Sequence, residues 1–347
     1  FVPFTCTRRD RSPGACNGCD RYSSCRFNKF KYKAGEAHTE YVSVLKDSRT
    51  GANLTVQEAK TIADTVRPLL ESGQSPYMII HNHPELNISE RTLYNYIEND
   101  VLRYAGEGLI PLDLRRQVSR RPIQKKVSEK YKKRVERKYL QGRTYKEYEA
   151  FMKENPDATV VEMDTVYNDV SNGPFIQTFK FRQLFPFFFA LLHDTHTAED
   201  MKTGIDRMEE ILTPELFRKY VMVLKTDRGS EFTDADGIEK KEDDQRTRVF
   251  YCDPMQSCQK GSLENNHIEL RYILPKGTDL RELGLTSQEK LNLALSHINS
   301  APKEALGGKS PLELMEFLAP DLFNRFYQFG IRKIEGDKVI LKPYLLK

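Results

Sequence analysis

The sequence predicts an α/β protein in which a mixed-sheet domain follows a small four-cysteine module and a helical domain. Three observations carry this. Four of the six cysteines fall within the first 25 residues, apolar residues recur at helical spacing over 55–98, and from residue 158 short β-rich runs alternate with helical ones. At 347 residues the chain has room for two or three domains. Its 39% apolar and 30% charged content belongs to a folded chain, not a disordered one. The longest apolar run, 184–192, is far shorter than the ~18 residues that suggest a membrane span, so no membrane partner is expected. Nothing at the start reads as a secretory signal, which points to a cytoplasmic location. A first residue of Phe1 suggests a piece of a longer protein.

Cys6, Cys16, Cys19 and Cys25 form the first element, expected over 1–40. Gly18 between Cys16 and Cys19 allows a tight turn that turns both thiolates toward one ion, and four thiolates satisfy a tetrahedral structural Zn²⁺. Two disulfides are the alternative, favoured only in a secreted protein. Cys252 and Cys258 read as ordinary thiols.

A helical domain follows, expected over 41–112. Thr55 and Glu58 form a capping box ahead of Ala59, Ile62, Ala63, Val66, Leu69 and Leu70. Gly73 closes that helix, Ser75-Pro76 opens a second, and Ser89 caps a third bearing Leu93, Tyr94, Tyr96 and Ile97. Two short helices joined by a tight turn fit a helix-turn-helix, with Glu90, Arg91, Thr92 and Asn95 of SERTLYNYI as candidate base readers. A small helical bundle without a DNA role is the alternative.

The net charge of +4 conceals a strong asymmetry. Between residues 115 and 146 stand 14 Lys/Arg and two acids, a local charge of +12, which leaves −8 for the remainder. A basic linker over 113–155, including Arg115, Arg116, Arg120, Arg121, Lys125 and Lys126, suits tracking of a phosphate backbone. A solvated helix face is the other reading.

The mixed-sheet domain is expected over 156–318, with strands at 159–166, 175–181, 187–193, 220–227 and 246–252. Thr197 and Asp200 cap a helix with the stripe Met201, Ile205, Met208 and Leu212, and a later helix carries Glu264. Asp164 and Asp227 each stand where a strand emerges, so both carboxylates can meet Glu264 at one sheet edge. Three carboxylates so close require cations between them, and hard oxygen ligands suit Mg²⁺ or Mn²⁺. Alternation puts Glu162 on the same face as Asp164 but earlier in the strand, so it reads as a strand residue facing away from this cluster.

The blocks VVEMDTV, LKTDRGSEF and KGSLENNHIELRYILPKGTDL, in that order, resemble the catalytic blocks of insertion-sequence transposases of the IS-thirty family, over roughly 158–318. The resemblance implies a DDE enzyme with an RNase H-like catalytic domain. It carries the two aspartates onto Asp164 and Asp227 and the glutamate onto Glu264, with 36 residues between the last two. It also implies metal-dependent cleavage and strand transfer on double-stranded DNA, binding of terminal inverted repeats, a homodimer or larger assembly, and a bacterial, nucleoid-associated setting. The cysteine cluster and SERTLYNYI are similar to the amino-terminal half of some members, which usually carry a further helix-turn-helix upstream. One departure is Arg228, where the family has Asn: a cation there grips a phosphate or weakens metal binding. An inactive DNA-binding repressor or architectural protein derived from such a transposase is therefore the alternative function. An RNase H-type hydrolase is a third reading, one that has no need of the amino-terminal modules.

His267 and Arg271 follow Glu264 on roughly one helix face, as candidate phosphate contacts or solvated side chains. Lys276 in PKGTDL is a candidate DNA-backbone contact, and Asn265 either orients Glu264 or caps the helix. Two more capping boxes, Thr286/Glu289 and Ser310/Glu313, open further helices. The last element, within 319–347, is expected to be a hairpin turning at Gly336-Asp337.

Overall fold

The computed structural model describes residues 6–10, 14–48, 52–106, 108–115, 138–169, 171–182, 185–254 and 256–347. They divide into two compact units, Phe1–Thr55 and Val56–Lys347.

In the first unit a cysteine-bearing loop leads to helix α1 (Ala34–Ser48). Gly18 takes a left-handed φ of +68°, and the Cys19 amide donates to the Cys16 carbonyl at 3.3 Å, the tight turn foreseen. The Cys16 amide donates to Phe30 O, and Asn17 pairs with both backbone groups of Tyr32, which closes the loop on itself.

The second unit opens with α2 (Val56–Glu71), α3 (Pro76–Asn82) and α4 (Glu90–Glu98). Ala59, Ile62, Ala63, Val66 and Leu70 are the buried stripe of α2. Gly73, at φ +85°, ends that helix. Ser75 Oγ accepts from the Met78 amide and Ser89 Oγ from the Thr92 amide, so both foreseen caps form. Helix α5 (Tyr145–Glu154) then leads into the sheet.

Strands β1 (Val160–Val166), β2 (Phe175–Phe181) and β3 (Phe188–His193) run antiparallel in succession. Helices α6 (Ala198–Leu212) and α7 (Pro214–Tyr220) lead to β4 (Val223–Thr226), parallel to β1. Helix α8 (Ala235–Glu239) and a two-residue ribbon, β5 (Lys240–Lys241) with β6 (Asp244–Gln245), precede β7 (Arg248–Tyr251), parallel to β4. The main sheet order is β3-β2-β1-β4-β7, a mixed sheet. Helices α9 (Gly261–Ile273), α10 (Gln288–Ser300), α11 (Pro311–Leu318) and α12 (Pro320–Phe329) complete the unit.

Strand alternation assigns the two faces. Gln177 of β2 donates to Met201 O of α6, whereas its neighbour Thr178 pairs with His267 of α9, so α6 and α9 cover opposite faces. Every residue of β2 is buried, and Phe179, Phe187, Phe188 and Phe189 anchor the core together with Phe326 of α12.

Two expectations change. The cap of α10 is Ser287, whose Oγ accepts from the Lys290 amide, one residue later than the Thr286/Glu289 box. Residues 331–341 form no hairpin, because their backbone groups are committed elsewhere. Arg332 N donates to Ser296 Oγ, Ile334 N to Ser300 Oγ, Ile340 N to His297 Nδ1 and Leu341 N to Ser72 O, while Gln74 Nε2 donates to Val339 O. No helix among the described residues is long and apolar enough to cross a membrane.

Candidate active site

Parallel β1 and β4 are adjacent and in register, Glu162 opposite Lys225, so the residues two positions further along each strand, Asp164 and Asp227, emerge side by side. The Lys260 ammonium lies between them, Nζ 3.1 Å from Asp164 Oδ2 and 3.3 Å from Asp227 Oδ2. Each aspartate is oriented through its other oxygen: Asp164 Oδ1 accepts from the Thr165 amide and Asp227 Oδ1 from the Gly229 amide, both at 2.9 Å. Burial pushes the Asp164 carboxyl above the usual carboxylate range; Lys260 opposes that shift and Asp227 adds to it. Burial works against the charge on Lys260, yet the two aspartates outweigh it and hold the ammonium above its ordinary value.

Glu264 is exposed on the first turn of α9. Among the described residues no group of three or more His, Cys, Asp or Glu side chains is close enough to hold a metal. The structure thus joins Asp164 to Asp227 and leaves Glu264 outside that pair. The pair itself fits a cation, since two hard carboxylates already converge on a buried ammonium. The same absence applies to Cys6, Cys16, Cys19 and Cys25, all free thiols, of which Cys16 and Cys19 share a turn.

The other predicted site residues have specific places. His267 Nε2 pairs with Thr178 Oγ1 at 2.9 Å, and that hydroxyl donates to Asp164 O. Burial first, then the neighbouring cations, push the His267 imidazole down to about 4, so it is neutral near pH 7. The Arg271 guanidinium is engaged by Tyr167 O, Asn168 Oδ1 and Leu274 O, which makes it a clamp between α9 and the end of β1. Both line a cleft of about 650 Å³ with Tyr167, Asn168 and Lys276. Arg228 donates to Cys252 O at 3.1 Å and to Asp253 Oδ1 at 2.9 Å. Asn265 is exposed. On α4, Arg91 and Asn95 are exposed, while Thr92 Oγ1 is 2.8 Å from Ser89 Oγ, within the cap. Arg115 stacks on the Tyr272 ring at 4.1 Å. Arg116, Arg120, Arg121, Lys125 and Lys126 lie outside the described residues.

Sequence reasoning missed Lys260, although KGSLE puts it one helical turn before Glu264. It also misread Glu162. That residue is 1% exposed, shares a face with Asp164, and lies 3.1 Å from Lys225 Nζ. Alternation puts Glu162 with Asp164 and Lys225 with Asp227, but which strands pair, and so which charges meet, it does not say.

No family model matches the chain. Over 68 residues it is 41% identical to the transposase for insertion sequence element IS1086 of Cupriavidus metallidurans, covering 20% of this chain and 19% of that protein. Over 89 residues it is 32% identical to transposase InsI for insertion sequence element IS30A of Escherichia coli K12, covering 26% of this chain and 20% of that protein. The chain resembles IS30 insertion-sequence transposases. The matched stretches span about a fifth of the curated relatives' length. Among solved structures, the catalytic core domain of BIV integrase aligns with a TM-score of 0.34 and 20% identity, over 45% of this chain and 91% of that one. The HTLV-2 integrase catalytic core domain in complex with magnesium aligns with a TM-score of 0.33 and 11% identity, over 45% of this chain and 94% of that one.

Proposed function

We propose that this chain is a DDE transposase that binds the terminal inverted repeats of an insertion sequence, cleaves the ends and joins them to target DNA. The observation that carries the reading is the convergence of Asp164 and Asp227, from adjacent parallel strands, on one cation. The strand order β3-β2-β1-β4-β7, with the first three strands antiparallel and the last two parallel to β1, supports an RNase H-like domain.

Asp164, Asp227 and Glu264 would hold Mg²⁺ or Mn²⁺, with Glu264 drawn in from the first turn of α9. Bound metal supplies activation of the attacking oxygen and stabilisation of the leaving one in an in-line phosphoryl displacement. The chain's own groups do the rest. The backbone amides of Thr165 and Gly229 aim the two aspartates, and neutral His267 with Thr178 ties α9 to the strand that bears Asp164. Lys276, on the cleft beside that strand, contacts the DNA backbone. The attacking group is water at the element's end and then the freed 3′-hydroxyl at the target, so the protein needs no covalent link to DNA.

Exposed Arg91 and Asn95 on α4 support base reading by a helix-turn-helix. The basic linker supports backbone binding, and the cysteine spacing supports a structural Zn²⁺ once Cys6 and Cys25 close on the Cys16–Cys19 turn. Joining two ends calls for at least a dimer, working on the nucleoid in the cytoplasm. Arg228, the one feature that spoke for an inactive derivative, is hydrogen-bonded to Cys252 O and Asp253 Oδ1.

The test is incubation with Mg²⁺ and a pre-nicked end oligonucleotide, scoring joined products. The wild-type chain is expected to join them, and Asp164→Asn to bind the end without joining. Joining by Asp164→Asn at the wild-type rate would overturn the assignment.

A further inference from the structure

Beneath the two aspartates, one row of charged residues crosses the sheet. In register across three strands stand Lys180 of β2, Glu162 of β1 and Lys225 of β4. They are 5%, 1% and 1% exposed. Burying these groups is costly unless each gains a specific partner. Glu162 has partners on both oxygens: Oε1 is 3.1 Å from Lys225 Nζ and 3.3 Å from Arg182 Nη1, and Oε2 accepts from the Leu263 amide at 3.0 Å. On its far side Lys225 Nζ lies over the Tyr148 ring at 5.2 Å.

The Leu263 bond is the informative one. The first amides of any helix have no acceptor within it, and the residue before the helix normally supplies one from its side chain. In α9 the residue at that position is Lys260, which makes no side-chain cap bond because it is a donor and lies between the aspartates. The cap comes instead from a neighbouring strand, as a carboxylate, the charge that the start of a helix dipole favours. The residue after Leu263 is Glu264.

We infer that Glu162 is a positioning residue: as a cap supplied from β1, it fixes the first turn of α9 relative to β1 and β4 and so sets where Glu264 stands beside Asp164 and Asp227, with Lys225 balancing its charge. The inference rests on the reading of Glu264 as the third carboxylate. Lys260 and Glu264 flank the capped amide, so one bond governs both the ammonium already between the aspartates and the carboxylate that must join them.

Two double variants of the full chain separate capping from mere packing. Glu162→Gln with Lys225→Met keeps an acceptor for Leu263 and removes both members of the buried ion pair, while Arg182, 41% exposed, is left to solvent. Glu162→Met with Lys225→Met removes the same pair and leaves the same charges around it, a kind of replacement that cores tolerate, but removes the acceptor. Hydrogen exchange over 261–266 in metal-free protein is expected to quicken about tenfold in the Met/Met chain and to stay near wild type in the Gln/Met chain. The Mg²⁺ concentration for half-maximal joining is expected to rise about tenfold in the Met/Met chain only, with the rate at saturating Mg²⁺ largely retained. Equal exchange in the two doubles, or an equal metal requirement, would overturn the inference. A wild-type chain that joins no DNA at all would sink the transposase reading, and the exchange comparison would still decide whether Glu162 caps α9.

Discussion

Replacing Lys260 with methionine probes the site most directly, because the side chain keeps its bulk and loses only the charge between two carboxylates. At 3.1 and 3.3 Å, each ion pair is worth about 5 kcal/mol at an effective dielectric of 20. Those figures need discounting. The Asp227 side chain is 47% exposed, so that pair is screened to roughly 1 kcal/mol or less. The Asp164 side chain is 24% exposed and that of Lys260 9%, and breaking a pair so buried costs about 3 kcal/mol. The metal-free variant should therefore lose roughly 3 kcal/mol, or about 6 °C in melting temperature. A divalent ion at a hundred times its Kd returns about 2.7 kcal/mol. Melting in EDTA and in saturating Mg²⁺ should thus show a variant that is much weaker without metal and recovers most of the difference with it. In the wild type the gain is smaller, since the ion must displace the ammonium. A variant as stable as wild type in EDTA, or an equal Mg²⁺ gain in both chains, refutes the argument.

Three other outcomes are expected. Burial pushes His297 down to about 4, with Nδ1 accepting from the Ile340 amide. The unfolded chain, at about 6.5, therefore binds the extra proton first, so His297 costs stability as pH falls from about 6.5 to 4, by up to about 3 kcal/mol. Denaturant titrations across that window should show a shallower acid loss in His297→Gln. Lys276→Ala is expected to weaken end-DNA binding and to reduce the salt slope of log Kd by about 1, with the melting temperature unchanged; an unaltered slope excludes a phosphate contact. Metal analysis of the purified chain should give one zinc, lost in Cys19→Ala, whereas a zinc-free protein with all four thiols titratable would remove the zinc assignment.

Much of the scaffold was legible because it repeats local rules. The strands betray themselves by β-rich runs, α6 by its Thr197/Asp200 box and buried stripe, and α11 by Ser310/Glu313. Asp164 and Asp227 were placed by the resemblance of VVEMDTV and LKTDRGSEF to catalytic blocks, since a strand-end acid alone singles out little in a chain with 50 acids. Lys260 and the Glu162–Lys225 pair were not. Each is a charged residue whose burial depends on a partner distant in sequence, 101 residues away in the case of Glu162 and Leu263, and no local periodicity encodes such a pairing. Residues 331–341 failed for the opposite reason. Their pattern suits a hairpin, but the hydroxyls of Ser296 and Ser300 and the backbone of Ser72 take the bonds a second strand would need.

That last segment also sets an order of assembly. Gln74 reaches from the α2–α3 turn to the carbonyls of Gly336, Asp337 and Val339, and the Cβ of any residue other than glycine at position 73 would lie 2.6 Å from Leu341 O. Part of the seat of the helices nearest the start of this unit is therefore made of residues that follow the sheet in sequence. A growing chain cannot complete the seat of the α2–α3 turn until residues 331–341 are free to close over it. On the proposed reading, DNA bound by those helices would be held in a fixed orientation relative to Asp164 and Asp227 only once residues 331–341 have been synthesised.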